Sequence, residues 1–236
     1  MRAKIPLPPF TSRMGKGELA AALIYLPIHI FLLPLALGAL LAAGKLDEIN
    51  ANFLCYAIGI AYMLVFQRRF LRRDFDPLCD KPLNCLSEIV TGYALMLLFN
   101  LAMSFALQAL SPSENQNNAA IMEMAGQGYG KVAAMSIFLA PIVEELMFRG
   151  GVFGLLCRYS RFWAYAGSML LFSLYHVWGY AISDPTYWLY MVQYLPVSFL
   201  LCRCYERTNT IWASIFLHML INSIAIQALM ALQEML

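Results

Sequence analysis

The amino-acid sequence predicts an all-α fold, a polytopic helical bundle that crosses a membrane about seven times. Hydrophobic residues make up 61% of the 236-residue chain and charged residues only 13%, which is about half the charged share of a soluble chain. The apolar stretches are long and continuous, as a bilayer core of about 30 Å requires of helices. The net charge is +2, and no dense basic stretch is interleaved with aromatic residues, so nucleic-acid binding has no electrostatic basis.

Seven windows are apolar enough to span the membrane, and we place them at Glu18–Ala43, Asn52–Phe66, Leu86–Leu110, Val132–Cys157, Phe162–Tyr180, Tyr187–Cys204 and Ile211–Leu232. The first window contains Pro27 and Pro34, so this helix is expected to be kinked or broken in two. Ser111–Gly130 is rich in Asn, Gln, Ser and Gly and is predicted to be a flexible loop. No stretch suits a separate soluble domain, so residues 1–236 are predicted to form one integral membrane domain.

The distribution of basic residues predicts the orientation of the bundle. Seven spans place thirteen of the 16 Lys and Arg residues on one side, namely Arg2, Lys4, Arg13, Lys16, Arg68, Arg69, Arg72, Arg73, Lys81, Arg158, Arg161, Arg203 and Arg207. The opposite side has only Lys45 and Lys131, and Arg149 lies within a span. Because cytosolic loops carry an excess of Lys and Arg, we expect a cytosolic N-terminus, an external C-terminus and a multi-pass protein of the cell membrane.

Three spans contain polar side chains that are costly inside a membrane, at roughly 3 kcal/mol or more for each charge at the centre of a lipid-facing helix. These side chains are Glu144, Glu145 and Arg149 in the fourth span, His176 in the fifth, and His218 and Asn222 in the seventh. Counted at about 1.5 Å per residue from the cytosolic helix ends, Glu144 and His176 lie about 21 Å deep. Asn222 lies about 20 Å deep and His218 about 13 Å. The overlapping depths predict one buried site.

Helix spacing predicts which of these side chains share a face. Glu145 and Arg149 are four residues apart with the acid nearer the N-terminus, so they can pair along one face. His218 and Asn222 have the same spacing and present two hydrogen-bonding groups together. Pro141 has no amide proton and is expected to open the helix just before the two acids.

Two other features of the spans bear on packing. Gly150 and Gly151 are expected to let a neighbouring helix approach closely. His29 lies between the two prolines of the first span and matches no motif. We interpret it as a structural histidine whose hydrogen bonds are satisfied.

Three motifs in this chain resemble those of a known family. Glu-Glu-x-x-x-Arg begins at Glu144, Phe-x-x-x-His at Phe172 and His-x-x-x-Asn at His218. Together and in this order they resemble the CPBP family, which comprises the CAAX prenyl-protease type and the bacteriocin-processing or Abi relatives. The resemblance covers residues 132–236, whereas the N-terminal half is similar only in being helical and apolar.

The resemblance implies an intramembrane glutamate protease that hydrolyses a peptide bond in a membrane-associated peptide or protein. It implies that Glu144 is the general base and that His176 helps to orient and activate a water molecule. It also implies that His218 and Asn222 form an oxyanion hole. Neither a metal nor a cofactor is implied.

The resemblance has further implications for the surroundings of this site. Glu145, Arg149 and Phe172 would support the site structurally. Substrate access from the cytosol is the expectation for the family. The short chain looks most like the bacterial members, which places it in the plasma membrane of a bacterium. The sequence makes no prediction of the oligomeric state.

Two alternative functions remain open on the sequence. Glu144, His176 and His218 make a ligand set for a catalytic zinc ion, although the chain lacks His-Glu-x-x-His. A membrane scaffold or bacteriocin-immunity protein would keep the same fold and use the polar cluster to bind a partner. Sensitivity to chelators separates the zinc enzyme from a glutamate protease, and loss of function in a folded Glu144→Ala variant argues against a scaffold.

Overall fold

The structure, a computed structural model, describes residues 10–110 and 115–235, with the side chains of residues 104, 106–110 and 232–235 excepted. Throughout that part of the chain the regular elements are helices, so the predicted all-α fold is confirmed. Arg2 and Lys4, which belong to the predicted cytosolic side, lie outside the described residues. Residues 111–114 of the predicted loop also lie outside them.

The helices are α1 (Lys16–Ala42), α2 (Glu48–Phe66), α3 (Arg68–Arg73), α4 (Asp76–Asp80), α5 (Pro82–Leu110), α6 (Gln116–Ala133), α7 (134–156), α8 (Arg161–Ser183), α9 (Met191–Thr208) and α10 (Ile211–Met235). A 3₁₀ turn at Pro185–Tyr190 leads into α9. Within the described residues, four helices are long and apolar enough to cross a membrane, at Lys16–Ala42, Glu48–Phe66, Pro82–Met103 and Ile211–Ala231. The other three predicted spans lie on α7, α8 and α9, and their passage through the membrane stays a prediction.

Helix α1 is continuous through its prolines and is not broken in two. After Pro27 it widens into a π-helical turn, Ile28–Leu32, and the N–H of Leu33 donates to the carbonyl oxygen of Ile28, five residues back. Pro34 follows and has no N–H to donate, and the wider turn accommodates the missing bond. His29 lies within this turn and is only 2% exposed.

The predicted flexible loop at Ser111–Gly130 is wrong over its described part, because most of it forms α6. The side chain of Asn115 starts this helix by accepting hydrogen bonds from the backbone N–H groups of Asn117 (3.0 Å) and Asn118 (3.3 Å). The helix departs from helical geometry only at Gly128. Asn-rich sequence is typical of loops because its side chains compete for backbone groups. The same ability makes Asn a favourable residue at a helix start.

The glycine pair of α7 packs against α1 and the segment that precedes it, as predicted. A Cβ atom on Gly151 would lie 3.3 Å from that of Ala22, and one on Gly150 would collide with Met14. The absence of side chains therefore allows close contact at the helix that carries the Glu-Glu motif.

The basic segments meet at one end of the bundle. The contacts that join them are Arg73 with Glu18 (3.4 Å), Arg158 with the Met14 carbonyl oxygen (2.9 Å), and Arg203 and Arg207 with Glu88 (2.8 and 2.6 Å). We call this end, which carries Arg13, Lys16, Arg68, Arg69, Arg72, Arg73, Lys81, Arg158, Arg161, Arg203 and Arg207, the basic end. The grouping of these loops fits the one-sided charge distribution that the seven predicted spans require.

Asp74 ties the N-terminal segment to the turn between α9 and α10 at the basic end. Its carboxylate accepts hydrogen bonds from the hydroxyl of Ser12 and from the N–H of Ile211, each at 2.5 Å. Its backbone carbonyl accepts from the hydroxyl of Thr210 at 2.7 Å. Burial, which leaves Asp74 only 4% exposed, raises the pKa of its carboxyl to about 6, although these hydrogen bonds act in the opposite direction.

Asp74 is expected to make the free energy of unfolding depend on pH, and the Asp74→Asn variant is expected to lack this dependence. The folded pKa of about 6 exceeds the ordinary value of 3.8, so the folded chain holds this proton more tightly than the unfolded chain does. The stabilisation from this group is present below the unfolded pKa and is lost as the pH rises through 6, with a magnitude of roughly 3 kcal/mol at most.

Thermal unfolding in detergent measures this effect. Between about pH 4.5 and about pH 7, the Tm of the wild type should fall relative to that of Asp74→Asn. The exposed Asp76 provides the control, and Asp76→Asn should follow the wild type. A constant difference between wild type and Asp74→Asn over this range would show that Asp74 is not the titrating group.

Candidate active site

The structure brings the mid-span polar residues of α7, α8 and α10 together. Oε2 of Glu144 lies 3.9 Å from Nε2 of His176 and 3.8 Å from Nε2 of His218. Both separations are too long for a direct hydrogen bond. Oε2 has no hydrogen-bond partner among the described residues, although Glu144 is only 3% exposed. The carboxylate therefore faces two imidazole rings across a narrow gap.

Glu145 holds His218 in place as well as pairing with Arg149. Its Oε1 accepts hydrogen bonds from Nδ1 of His218 and from the guanidinium of Arg149, each at 2.9 Å. Its Oε2 accepts from the hydroxyl of Ser214 at 2.6 Å. Because a carboxylate only accepts, Nδ1 of His218 carries a proton, and in the neutral ring Nε2 faces Glu144 as an acceptor.

Arg149 connects three helices from a fully buried position. Besides binding Glu145, it donates to the hydroxyl of Ser198 on α9 at 2.9 Å. Its guanidinium carbon lies 4.3 Å above the ring of Phe172 on α8, a cation–π contact. The pair of Glu145 and Arg149 that the spacing predicts is therefore present, and its cation is anchored to two neighbouring helices.

Phe172 and Tyr194 fix the ring of His176. The Phe172 carbonyl oxygen lies 2.9 Å from Nδ1 of His176 and accepts its proton. The imidazole also packs against the Phe172 ring and stacks on the Tyr194 ring, each with 4.5 Å between ring centres. In the neutral ring, Nε2 is therefore an acceptor that points towards Glu144.

The position of Asn222 depends on the wide helical turn before Pro141. Residues 134–139 are π-helical, and the N–H of Ala140 donates to the carbonyl of Met135, five residues back. In that register the next donor would be Pro141, which has no N–H to offer Ser136. The side-chain amide of Asn222 donates to the Ser136 carbonyl instead, at 2.8 Å. The opening that the sequence predicts before the acids thus occurs, and α10 fills it.

A chain of tyrosines reaches Glu144 from the N-terminal half, and no sequence motif indicated it. The hydroxyl of Tyr56 donates to Oε1 of Glu144 at 3.1 Å and lies 2.8 Å from that of Tyr175. Tyr175 in turn lies 3.2 Å from Nε2 of His29, whose Nδ1 faces Tyr25 at 3.4 Å. His29 is thus partnered on both nitrogens, as its interpretation requires, and it also belongs to the surroundings of Glu144.

These groups line a cavity of about 530 Å³. Its wall includes Glu144, His176, His218 and Asn222, along with amide side chains from α6 and α9 and apolar side chains from α5 and α10. Over the described residues, no group of three or more His, Cys, Asp or Glu side chains is arranged to hold a metal ion. The lining carboxylate, imidazole and amide side chains offer acid–base and hydrogen-bonding chemistry in a pocket that is large enough for part of a peptide.

Removal of the buried cation is expected to destabilise the protein. In Arg149→Ala, Glu145 loses its charged partner in a fully buried position, and breaking such a pair costs about 3–5 kcal/mol. The Tm in detergent should fall well below that of the wild type. Arg161→Ala supplies the control. The side chain of Arg161 is 63% exposed and pairs with Glu206, and a surface pair contributes only about 0–1 kcal/mol. Equal Tm values for the two variants would contradict the assigned role of Arg149.

Comparison with known proteins identifies the family that this chain resembles. Residues 129–224 match the family described as "Type II CAAX prenyl endopeptidase Rce1-like". The chain is also similar to "Putative membrane peptidase YdiL" of Bacillus subtilis (strain 168), with 29% identity over 115 residues. That alignment covers 48% of this chain and 43% of the relative's own length. No solved structure matches the chain.

The matched region contains all three motifs, and the predicted resemblance to the CPBP family is confirmed. The family match and the apolar helices also support a membrane location. At the level of the family, they support a membrane protease.

Proposed function

We propose that this chain, which resembles the CPBP family over residues 129–224, is a bacterial plasma-membrane endopeptidase with a glutamate-type mechanism. Glu144 and His176 activate a water molecule that attacks a peptide bond in a membrane-associated peptide or protein. The observation that carries this proposal is the gap between Oε2 of Glu144 and the two imidazole Nε2 atoms, at 3.8 and 3.9 Å.

The gap is bordered by hydrogen-bond acceptors, which suits a water molecule. In each neutral imidazole, Nδ1 is committed as a donor, from His176 to the Phe172 carbonyl and from His218 to Glu145. The facing Nε2 atoms therefore accept, as does the ionised carboxylate of Glu144. A water that donates to Glu144 and His176 keeps its oxygen lone pairs available for attack.

The reaction balances with the residues present. The water oxygen bonds to the peptide carbonyl carbon while its proton passes to Glu144, which leaves a tetrahedral oxyanion. The second N–H of the Asn222 amide and, when His218 is protonated, its Nε2 donate to this oxyanion. The carboxylate of Glu145 stabilises that protonated ring. Glu144 then returns the proton to the leaving nitrogen as the carbon–nitrogen bond breaks, and an acid and an amine are released.

Catalytic variants test the role of the two residues directly. A diverse peptide pool, prenylated and unprenylated, is incubated with purified wild type, Glu144→Gln and His176→Ala, and products are read by mass spectrometry. Loss of the general base or of its partner should lower cleavage by roughly 100- to 10,000-fold. The Tm of each variant should stay close to that of the wild type.

The same assay separates the alternative functions. Cleavage should persist in the presence of a zinc chelator, and loss of cleavage would favour the zinc enzyme. Absence of cuts in every peptide would favour the scaffold. Full activity in either variant would refute the roles assigned to Glu144 and His176.

Tyr56→Phe is expected to reduce activity without unfolding the protein. The hydroxyl of Tyr56 holds Oε1 of Glu144 at 3.1 Å, which leaves Oε2 directed at the gap. A hydrogen bond to a charged group contributes about 1.5–3 kcal/mol, so kcat should fall about 10- to 100-fold with little change in KM. Tyr62, on the same helix, bonds to the Ala21 carbonyl instead. Tyr62→Phe should therefore keep the wild-type kcat, and an equal loss in both variants would argue for a purely structural effect.

A further inference from the structure

The cavity lies towards the end of the bundle that is opposite the basic end, which we call the far end. On α8, the lining residues Phe172, His176 and Tyr180 precede the C-terminus at Ser183, whereas Arg161 begins the helix at the basic end. On the other helices, too, the lining residues lie away from the basic end. The lining residues near the far ends of their helices are Asn52 on α2, Asn117 and Asn118 on α6, Gln193 and Tyr194 on α9, and Ala225 and Leu229 on α10.

Packed side chains fill the core near the basic end. The ring of Phe10 makes edge contacts with Phe153 and Tyr205, at 5.6 and 4.9 Å between ring centres. Phe153 and Tyr205 are fully buried, and Tyr205 donates to the Ser12 carbonyl at 2.8 Å. The N-terminal segment therefore packs over the core on this side, and these residues are not part of the cavity lining.

The two ends also differ sharply in charge. Among the described residues, the far end carries two cations, Lys45 in the turn after α1 and Lys131 in the last turn of α6, and Lys131 already donates to the Asn50 side chain at 2.8 Å. All the other described Lys and Arg residues except the buried Arg149 are at the basic end. Because Lys and Arg collect in cytosolic loops, the basic end lies in the cytosol, and the far end lies outside it.

We infer that the cavity opens on the non-cytosolic side of the membrane and accepts an uncharged stretch of polypeptide presented there. The opening follows from the charge distribution and the cavity wall alone, whereas the cleavage of that polypeptide rests on the proposed function. This direction is opposite to the cytosolic access that the family resemblance implies.

The chemistry of the wall fits such a segment. Asn117, Asn118 and Gln193 offer side-chain amides, which both donate and accept hydrogen bonds as a peptide backbone does. Trp178 and Tyr180 add aromatic surface. Within the described residues, the lining contains no Lys or Arg to bind a free terminal carboxylate. An internal stretch of a longer chain is therefore the better occupant.

Thiol labelling with a membrane-impermeant maleimide tests the direction of the opening. Cys79 is exposed and Cys157 is partly exposed at the basic end, whereas Cys55, Cys85, Cys202 and Cys204 are buried. Cys157→Ser thus leaves Cys79 to mark the basic end, the double variant Cys79→Ser/Cys157→Ser provides the background, and Asn118→Cys or Lys45→Cys is added to that background. Lys45 lies in an exposed turn, so Lys45→Cys tests the far end if Asn118→Cys does not fold.

In intact spheroplasts, we expect both introduced thiols to be labelled and Cys79 to be labelled only after lysis. Labelling of Cys79 in intact spheroplasts, or of Asn118→Cys only after lysis, overturns the inference. If Lys45→Cys is labelled but Asn118→Cys is labelled neither before nor after lysis, the cavity does not open to water at the far end. This result overturns the inference as well.

Cleavage in oriented vesicles tests the substrate. An uncharged peptide segment is fused between two soluble proteins, so that it has no free terminus and does not cross the bilayer. Right-side-out vesicles should cut it, and inverted vesicles should not. Cleavage in inverted vesicles alone overturns the inference and leaves the proposed protease in place. Labelling as expected with no cleavage in either vesicle overturns the proposed function and the cleaved substrate, but not the opening.

Discussion

The arrangement of the whole site depends on one buried carboxylate, that of Glu145. It accepts hydrogen bonds from Arg149, His218 and Ser214, and it has no exposed surface. Through Arg149 it joins α7 to α8 and α9, and through the other two it joins α7 to α10. A buried charge is tolerated only when it is paired and hydrogen-bonded. The same bonds that satisfy this charge also aim His218 at the neighbouring Glu144.

Backbone irregularities position the remaining groups. In α7, the π-helical turn and Pro141 leave the Ser136 carbonyl to be bound by Asn222. In α1, a second π-helical turn holds His29, from which hydrogen bonds run through Tyr175 towards Glu144. A wide turn changes which side chains face inward and frees polar groups for other partners. Polar contacts between helices therefore replace the helical hydrogen bonds that the prolines remove.

The two ends of the bundle differ in their contacts between helices. At the basic end, ion pairs and the buried Asp74 join the N-terminal segment to the loops that follow α2 and α9. At the far end, the cavity reaches between α6, α8 and α9, whose lining side chains are mostly uncharged. The contacts at the basic end hold the helices together, and the cavity is lined by residues away from these contacts. This division explains how a mostly apolar chain keeps a polar pocket.

The sequence by itself determined the all-α membrane fold, the pairing of Glu145 with Arg149 and the three motifs, because each depends on composition or on spacing within one helix. It did not determine that Tyr56 binds Glu144, since 88 residues separate them and no local pattern records the contact. It misjudged the segment after Ser111, because the helix there begins with an Asn115 cap in a loop-like composition. The end of the bundle at which the cavity lies was decided only by tertiary structure, since it depends on which side chains of several packed helices line one space.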